Sequence, residues 1–455
     1  MSAHGEYPDR RRAWWMVVVL ALAGVVSVLD RTILNVIVDP VRADLGLSDV
    51  EISLLQGLAF GLFYATVGLP LGLTVDRYSR RLVVIAGITV WSLATLYSGF
   101  ARNFGELFAA RLLVGLGEAA LSPAAISLIA DLFPPTARGR PISLFLMGQA
   151  AANGLGISIT SFITDAAAGG AFSAVPIMGA LAPWRTVFIV CGLAGFVVVI
   201  GLLPTREPIR RVAGPPVGAL VQTRAAIGFF RQHAGVFVPL YLGFAVCFLA
   251  NYGAAAWNPT MLMRAYGVTR AELGAVLGPL MFAFSLLGPL LGGLLVDAVM
   301  RRGDNLARFG ILVAAPLFIV PAGVAALAPN STLAMILIAT SPAAVAVIGT
   351  TTLALLQSMV EPGMRGVAVA LTGLLNTVIG ATTGPLLISL LTERVYGDPR
   401  MVGMAIISVV VPSLLLASGL YWLTRQQVRK EVAARSAPAS LLAEIDALSG
   451  KRTHD

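Results

Sequence analysis

Apolar runs of about 20 residues recur from one end of this chain to the other, each long enough to cross a bilayer core as a helix. Such a run leaves the chain little choice, because lipid cannot hydrogen-bond a backbone and the helix satisfies its own polar groups. Twelve runs are expected to span, near 13–38, 50–75, 81–100, 105–131, 138–165, 185–203, 235–260, 270–299, 307–328, 331–360, 365–395 and 400–424. The Ala/Gly-rich stretch 166–184 fits none of them cleanly. Only 12% of the 455 residues are charged, about half the share in a soluble chain. The fold class is therefore an all-α, polytopic membrane protein.

A net charge of +9 would suit a nucleic-acid binder if the cations were gathered on one soluble face. They are not. With the N-terminus inside, the predicted cytoplasmic segments hold 23 of the 32 Lys and Arg, and the predicted outer segments hold 7. This is the positive-inside bias, and it puts both termini in the cytoplasm. The basic balance reports topology, so no nucleic-acid partner is expected. Arg10, Arg11 and Arg12 resemble a signal n-region, but the apolar run after them is too long to be cleaved and is expected to stay as the first span. Cys191 and Cys247 lie in apolar contexts and imply no disulfide framework. The three histidines (His4, His233, His454) fall in tails and linker, and no metal cluster, nucleotide-binding loop or acyltransferase pattern is present. Neither a cofactor nor a metal is expected, and enzyme chemistry is disfavoured.

The chain is two copies of one plan. GLSDVEISLLQGLAFGLFYATVGLPLGLTVDRYSRR, from Gly46, aligns with GVTRAELGAVLGPLMFAFSLLGPLLGGLLVDAVMRR, from Gly267, at an offset of 221. Gly46/Gly267, Glu51/Glu272, Gly57/Gly278, Gly72/Gly293, Asp76/Asp297 and Arg80/Arg301 coincide. Further on the offset drifts to 227, where Arg138-Gly139 meets Arg365-Gly366. A six-span half over 1–203, a linker over 204–234, a second half over 235–424 and a cytoplasmic tail over 425–455 follow. In the tail, Leu441, Leu442, Ile445 and Leu448 predict a short amphipathic helix.

The motif GLTVDRYSRR, Gly72 to Arg81, resembles the signature of the major facilitator transporters between their second and third spans, and GLLVDAVMRR is its degenerate copy. LDRTILNVIVDPVRADLGLSD, VWSLATL and RLLVGLGEAALSPAAISLIADLF resemble one branch, the Spinster-like transporters, over most of residues 25–160. The resemblance implies a major facilitator fold of about twelve helices, in two six-helix halves around a central cavity. It also implies a secondary active transporter of amphipathic lipids such as sphingosine-1-phosphate or lysophospholipids, working as a monomer among membrane lipids. In that superfamily the signature loop braces the halves, so Gly72, Asp76, Arg77, Arg80, Arg81 and Asp297 become gating candidates. Gly72 would let two helices approach closely, and the arginines would meet headgroups or cap helix ends. An Arg-rich, almost Lys-free composition (30 Arg, 2 Lys) looks bacterial, which places the chain in an inner membrane.

Four charges sit where the chain otherwise avoids them: Asp30, Arg31, Arg111 and Glu118. An ion at bilayer depth costs several kcal/mol unless it is paired or hydrated. These four sum to zero, as a compensated network facing a wet path would. Asp30 lies ~6 Å outward of the middle of its span, and Arg111 lies ~10 Å nearer the outside than Glu118 on an antiparallel one. Asp30 and Arg111 are therefore expected at similar depth and in contact. The second half has no such charges: Asn251 stands opposite Asp30, and Val345 opposite Glu118. A brace would be expected to duplicate, whereas a coupling site need occur only once. Glu118 is the leading proton-coupling residue, with Asp30 and Arg111 as partners. Arg31 or Arg111 would meet an anionic substrate headgroup. Asn251, Tyr252, Thr351 and Asn376 are the polar substrate contacts expected from the second half, among larger groups such as Met281 and Phe282. A charged half facing an apolar one suits an amphiphile; a lining of hydrogen-bonding groups would suit a polar organic anion or a drug-like solute instead.

Overall fold

The computed structural model describes residues 7–64, 66, 67, 78–210, 219–301 and 306–436. Gly72, Asp76, Arg77 and the amphipathic stretch of the tail lie outside them. Among the described residues 11 helices are long and apolar enough to cross a membrane. They are α1 (Arg10–Val36), α3 (Arg80–Ser98), α4 (Phe104–Leu132), α5 (Gly139–Ala168), α6 (Pro183–Leu202), α7 (Ala234–Tyr266), α8 (Arg270–Val299), α9 (Ala307–Leu327), α10 (Ser331–Met359), α11 (Arg365–Tyr396) and α12 (Pro399–Ala433). The twelfth, α2, starts at Asp49 and is described as helix over 49–64 and at 66 and 67. A linker helix, Ala219–Gln232, joins the halves.

The duplication read from the sequence returns as repeated local geometry. Gly46 and Gly267 both end a helix in the left-handed region, at φ 66° and 67°, where glycine carries no Cβ penalty. Two residues later Ser48 and Thr269 each form a capping box, with Glu51 and Glu272. A π-turn follows in both copies, Leu54–Leu58 and Leu273–Leu277. At the 227-residue offset, Asn103 and Asn330 are matched N-caps. Arg138 and Arg365 donate through Nε to the carbonyls of Phe133 (3.0 Å) and Val360 (3.1 Å). The halves thus share turn chemistry as well as helix number.

Two runs expected to be single helices are interrupted, α9 by 3-10 stretches at Ala315–Ile319 and Ala325–Leu327, and α4 near its middle. α4 stops at Glu118 and restarts at Leu121. Pro123 explains the break, because it has no N–H to give the Ala119 carbonyl and its ring crowds that same carbonyl. The break falls directly behind Glu118. Stretch 169–182, which no span accommodated, is irregular chain with one short 3-10 turn at Met178–Ala180.

The face where α1 starts and α6 ends is here called the linker face, and the opposite one the far face. Side-chain hydrogen bonds between the halves, among the described residues, gather toward the far face. Two glycine contacts close the halves there. A Cβ on Gly57 of α2 would fall on the Ala381 carbonyl of α11, and one on Gly278 of α8 would fall on Ser158 Oγ of α5, with the Gly154 carbonyl 3.0 Å away. Gly57 and Gly278 are matched at 221, and Gly154 and Ala381 at 227, so the two seams are one contact made twice.

Candidate functional site

The buried charges of the first half form the centre of the site. Asp30, Arg111 and Glu118 are each at most 1% exposed. Helix geometry separates Asp30 from Arg31 by about 100°, and the two point different ways. Arg31 keeps a third of its side chain open, at 34% exposure. Its guanidinium lies over the rings of Phe60 (4.3 Å) and Tyr64 (5.1 Å), where the ring faces attract a cation. Arg31 Nε and Nη2 each reach Glu118 Oε2 at 2.7 Å, and Ser27 Oγ donates to the same oxygen at 2.6 Å. Glu118 Oε1 has no partner among the described residues.

The expected contact between Asp30 and Arg111 runs through the Asp30 backbone carbonyl and not through its carboxylate. Their depths agree, but Arg111 Nη1 donates to the backbone carbonyl of Asp30 at 3.1 Å, and the Asp30 carboxylate accepts from Thr95 Oγ1 at 2.9 Å. Asp30 Oδ1 and Arg111 Nε and Nη2 are left without partners among the described residues. Glu118 pairs with Arg31, not with Arg111. Of the two arginines assigned to a substrate headgroup, only Arg31 is open in this conformation.

Between the halves lies a cavity of about 520 Å³. Asn35, Gln149 and Asn153 face it from α1 and α5, and Asn251, Asn258 and Met281 from α7 and α8. Asn251 therefore lines the cavity from α7. Asn376 and Tyr252 are half-buried and meet each other, with Asn376 Nδ2 3.4 Å from the Tyr252 hydroxyl. Thr351 is fully buried inside the second half and does not line the cavity; the α10 residues that do, such as Pro342, Val345 and Gly349, lie on another face of that helix. Asp297 is exposed on α8.

Two clusters lie away from the cavity. On the far face Arg264 of α7 grips Asp39 (2.6 and 3.0 Å) and Asp49 (2.7 and 2.9 Å) of the first half. Sequence reading missed this clasp, because acids and arginines at span ends are what any loop would show. On the linker face Arg80, 3% exposed, bonds Asp131, Ser127 Oγ (3.0 Å) and Glu207 (2.8 Å). Arg81 caps the end of α6 through the carbonyls of Leu202 (3.2 Å) and Leu203 (2.6 Å). Burial pushes the Glu207 carboxyl up, but hydrogen bonds from the Arg81 N–H, Arg80 and Ser79 outweigh it and hold the group below its ordinary range. These two signature arginines therefore strap residues 204–210 to the first half.

Two six-helix copies around a cavity, one with an intramembrane charge network, describe a carrier. Residues 20–385 match the model of the Major Facilitator Superfamily. The chain belongs to that superfamily. It is 28% identical over 439 residues to an MFS-type efflux pump of Mycolicibacterium smegmatis, covering 94% of this chain and 96% of that one. It is 28% identical over 330 residues to protein spinster of Drosophila melanogaster, covering 68% of this chain and 50% of that one. Its fold is similar to the crystal structure of a bacterial homologue of the human lysosomal transporter Spinster, inward-facing and unoccupied. That likeness has a TM-score of 0.78 at 24% identity, covering 93% of this facilitator chain and 98% of the other. As a superfamily member, it is an integral membrane transporter of small molecules.

Proposed function

We propose that this chain is a proton-coupled secondary transporter of an amphipathic molecule with an anionic head, a lysophospholipid or sphingoid phosphate being the leading class. The linker face and both termini are cytoplasmic in this reading, and the cavity opens toward them. The observation that carries the proposal is that one guanidinium, Arg31, is both a third exposed and the partner of the buried Glu118.

With Glu118 ionised, Arg31 is neutralised from within and has little to offer a substrate. A proton on Glu118 removes that charge, and Arg31, one turn of α1 from the cavity-lining Asn35, is then free to take a phosphate or carboxylate. The empty pair is neutral, and so is the state holding both proton and substrate anion. Each half-loaded state leaves one uncompensated charge at depth, which costs several kcal/mol. Proton and anion are thereby bound to travel together. The apolar residues of the second half, such as Phe248, Leu277 and Met281, provide a surface for a tail.

A second reading, transport of a polar organic anion, is favoured by the amides Asn35, Gln149, Asn153, Asn251 and Asn258 along the same cavity. Proteoliposomes under an imposed pH gradient separate the two when offered a lysophospholipid, a sphingoid phosphate and a sugar acid. In the same vesicles Glu118→Gln is expected to reduce gradient-driven accumulation to background while leaving substrate exchange at equilibrium measurable. Accumulation that survives the substitution would place coupling elsewhere.

A further inference from the structure

On the linker face, a groove of about 640 Å³ lies between the first turns of α1, the end of α4 and the strapped segment 204–209. Arg11 and Arg12 line it from α1, and Arg206 lines it from the segment. All three are exposed, and none makes an ion pair with a carboxylate among the described residues. Of the acids beside them, Asp131 and Glu207 are held by Arg80, and Asp9 caps α1 by accepting from the Arg11 backbone N–H at 3.2 Å. The groove is thus a concave site with three guanidinium groups that have no ion-pair partner among the described residues.

Its rim is apolar. Trp15 is 52% exposed, yet its indole N–H is tied to the Gly201 carbonyl at 3.0 Å. An anchored, half-exposed indole is what a protein places at the boundary between headgroups and acyl chains. Leu203 and Ile209 beside it are 57% and 69% exposed, and Val18 and Ile200 continue the same belt toward the membrane.

We propose that this groove is a binding site for the phosphate headgroup of an anionic phospholipid from the surrounding leaflet, with its acyl chains along Trp15, Val18 and Ile200. Topology alone asks for cations on this face. It does not ask that they surround a hollow, that Asp131 and Glu207 be held by another arginine, or that the mouth continue into a lipid-facing belt. Basic pockets between helices on the cytoplasmic side are suited to anionic headgroups. A phosphate held by Arg11 and Arg12 on one side and Arg206 on the other would also bridge α1 to the strapped segment.

The test uses the full-length protein in neutral detergent, titrated with phosphatidylglycerol, phosphatidylcholine or free glycerol phosphate. Bound lipid is counted by native mass spectrometry, and thermal melts report stabilisation. Phosphatidylglycerol is expected to bind and raise the Tm, with phosphatidylcholine and glycerol phosphate well behind. Each arginine near an anionic surface contributes about fivefold, so R11Q/R12Q/R206Q is expected to weaken phosphatidylglycerol binding by about 100-fold. R224Q/R231Q/K430Q, which removes the same charge from the same face outside the groove, is expected to leave it near the parent value. Should the triple variant fold poorly without lipid, Arg206→Gln alone carries the test at about fivefold. Equal losses in the two triple variants would reduce the site to diffuse surface charge, and an equal response to glycerol phosphate would make it a soluble-phosphate site. Either result overturns the proposal, as would equal binding of the two lipids.

Discussion

The two seams that close the far face are copies of one another in backbone and opposites in charge. In the first, Gly57 of α2 meets Ala381, and Asp49, at the head of α2, is gripped by Arg264 from the other half. In the second, Gly278 of α8 meets Ser158 and Gly154. At the position matched to Asp49 stands Arg270, which reaches Asp165 at only 3.4 Å with both side chains about a third exposed. Asp49 is fully buried and the Arg264 side chain 8% exposed. The glycines set how near the halves approach, and duplication gave that to both seams. The ion pairs are unequal, so one seam is locked and the other merely closed.

Removing the lock tests that difference most severely. Arg264→Gln strands the buried Asp49, and breaking a buried pair costs about 3–5 kcal/mol; Arg42, 3.4 Å from Asp49, places the expected loss toward the lower end. Thermal melts in detergent read the loss, and paired distance probes across the far face should lengthen. Next come the glycines. Gly57→Ala drives a methyl into backbone that cannot step aside, for about 2–3 kcal/mol. Gly278→Ala first displaces Ser158 Oγ and its 2.7 Å bond to the Gly274 carbonyl, for about 1 kcal/mol. A larger loss at Gly278 would mean that the seams are not the same contact. The smallest effect is expected from Arg270→Gln, below about 1 kcal/mol for so open a pair. If Arg270→Gln and Arg264→Gln destabilise equally, the asymmetry between the seams has no energetic content.

Much of this architecture is legible in the sequence. The offset of 221 exposes the matched glycines and the two capping boxes, because turn chemistry is local and leaves a local trace. The charge quartet is legible for a different reason: four ions in apolar runs are conspicuous by cost alone. Their pairing is not legible. Counting residues along antiparallel helices yields depth, and on that ground Asp30 and Arg111 are matched correctly. It does not say which of two adjacent side chains, Asp30 or Arg31, turns toward Glu118. That is decided by Phe60 and Tyr64 beneath the Arg31 guanidinium and by Thr95 beside Asp30, contacts between helices that no spacing rule reaches. The Arg264 clasp is hidden in plain view, since charge at span ends is ordinary. The interruption behind Glu118 could have been read from Pro123.

Sewing 204–210 onto the first half changes what counts as a moving part. Sequence alone ends that half at Leu203, where the apolar run stops. Arg80 and Arg81 carry the border seven residues further, so the first half brings its own hem. In any rocking of one half against the other, that hem would travel with α3 and α6 as one solid piece. A gene split beyond Arg210 would yield two parts already finished along their cut edge, whereas a split at Leu203 would tear the stitching out of one of them.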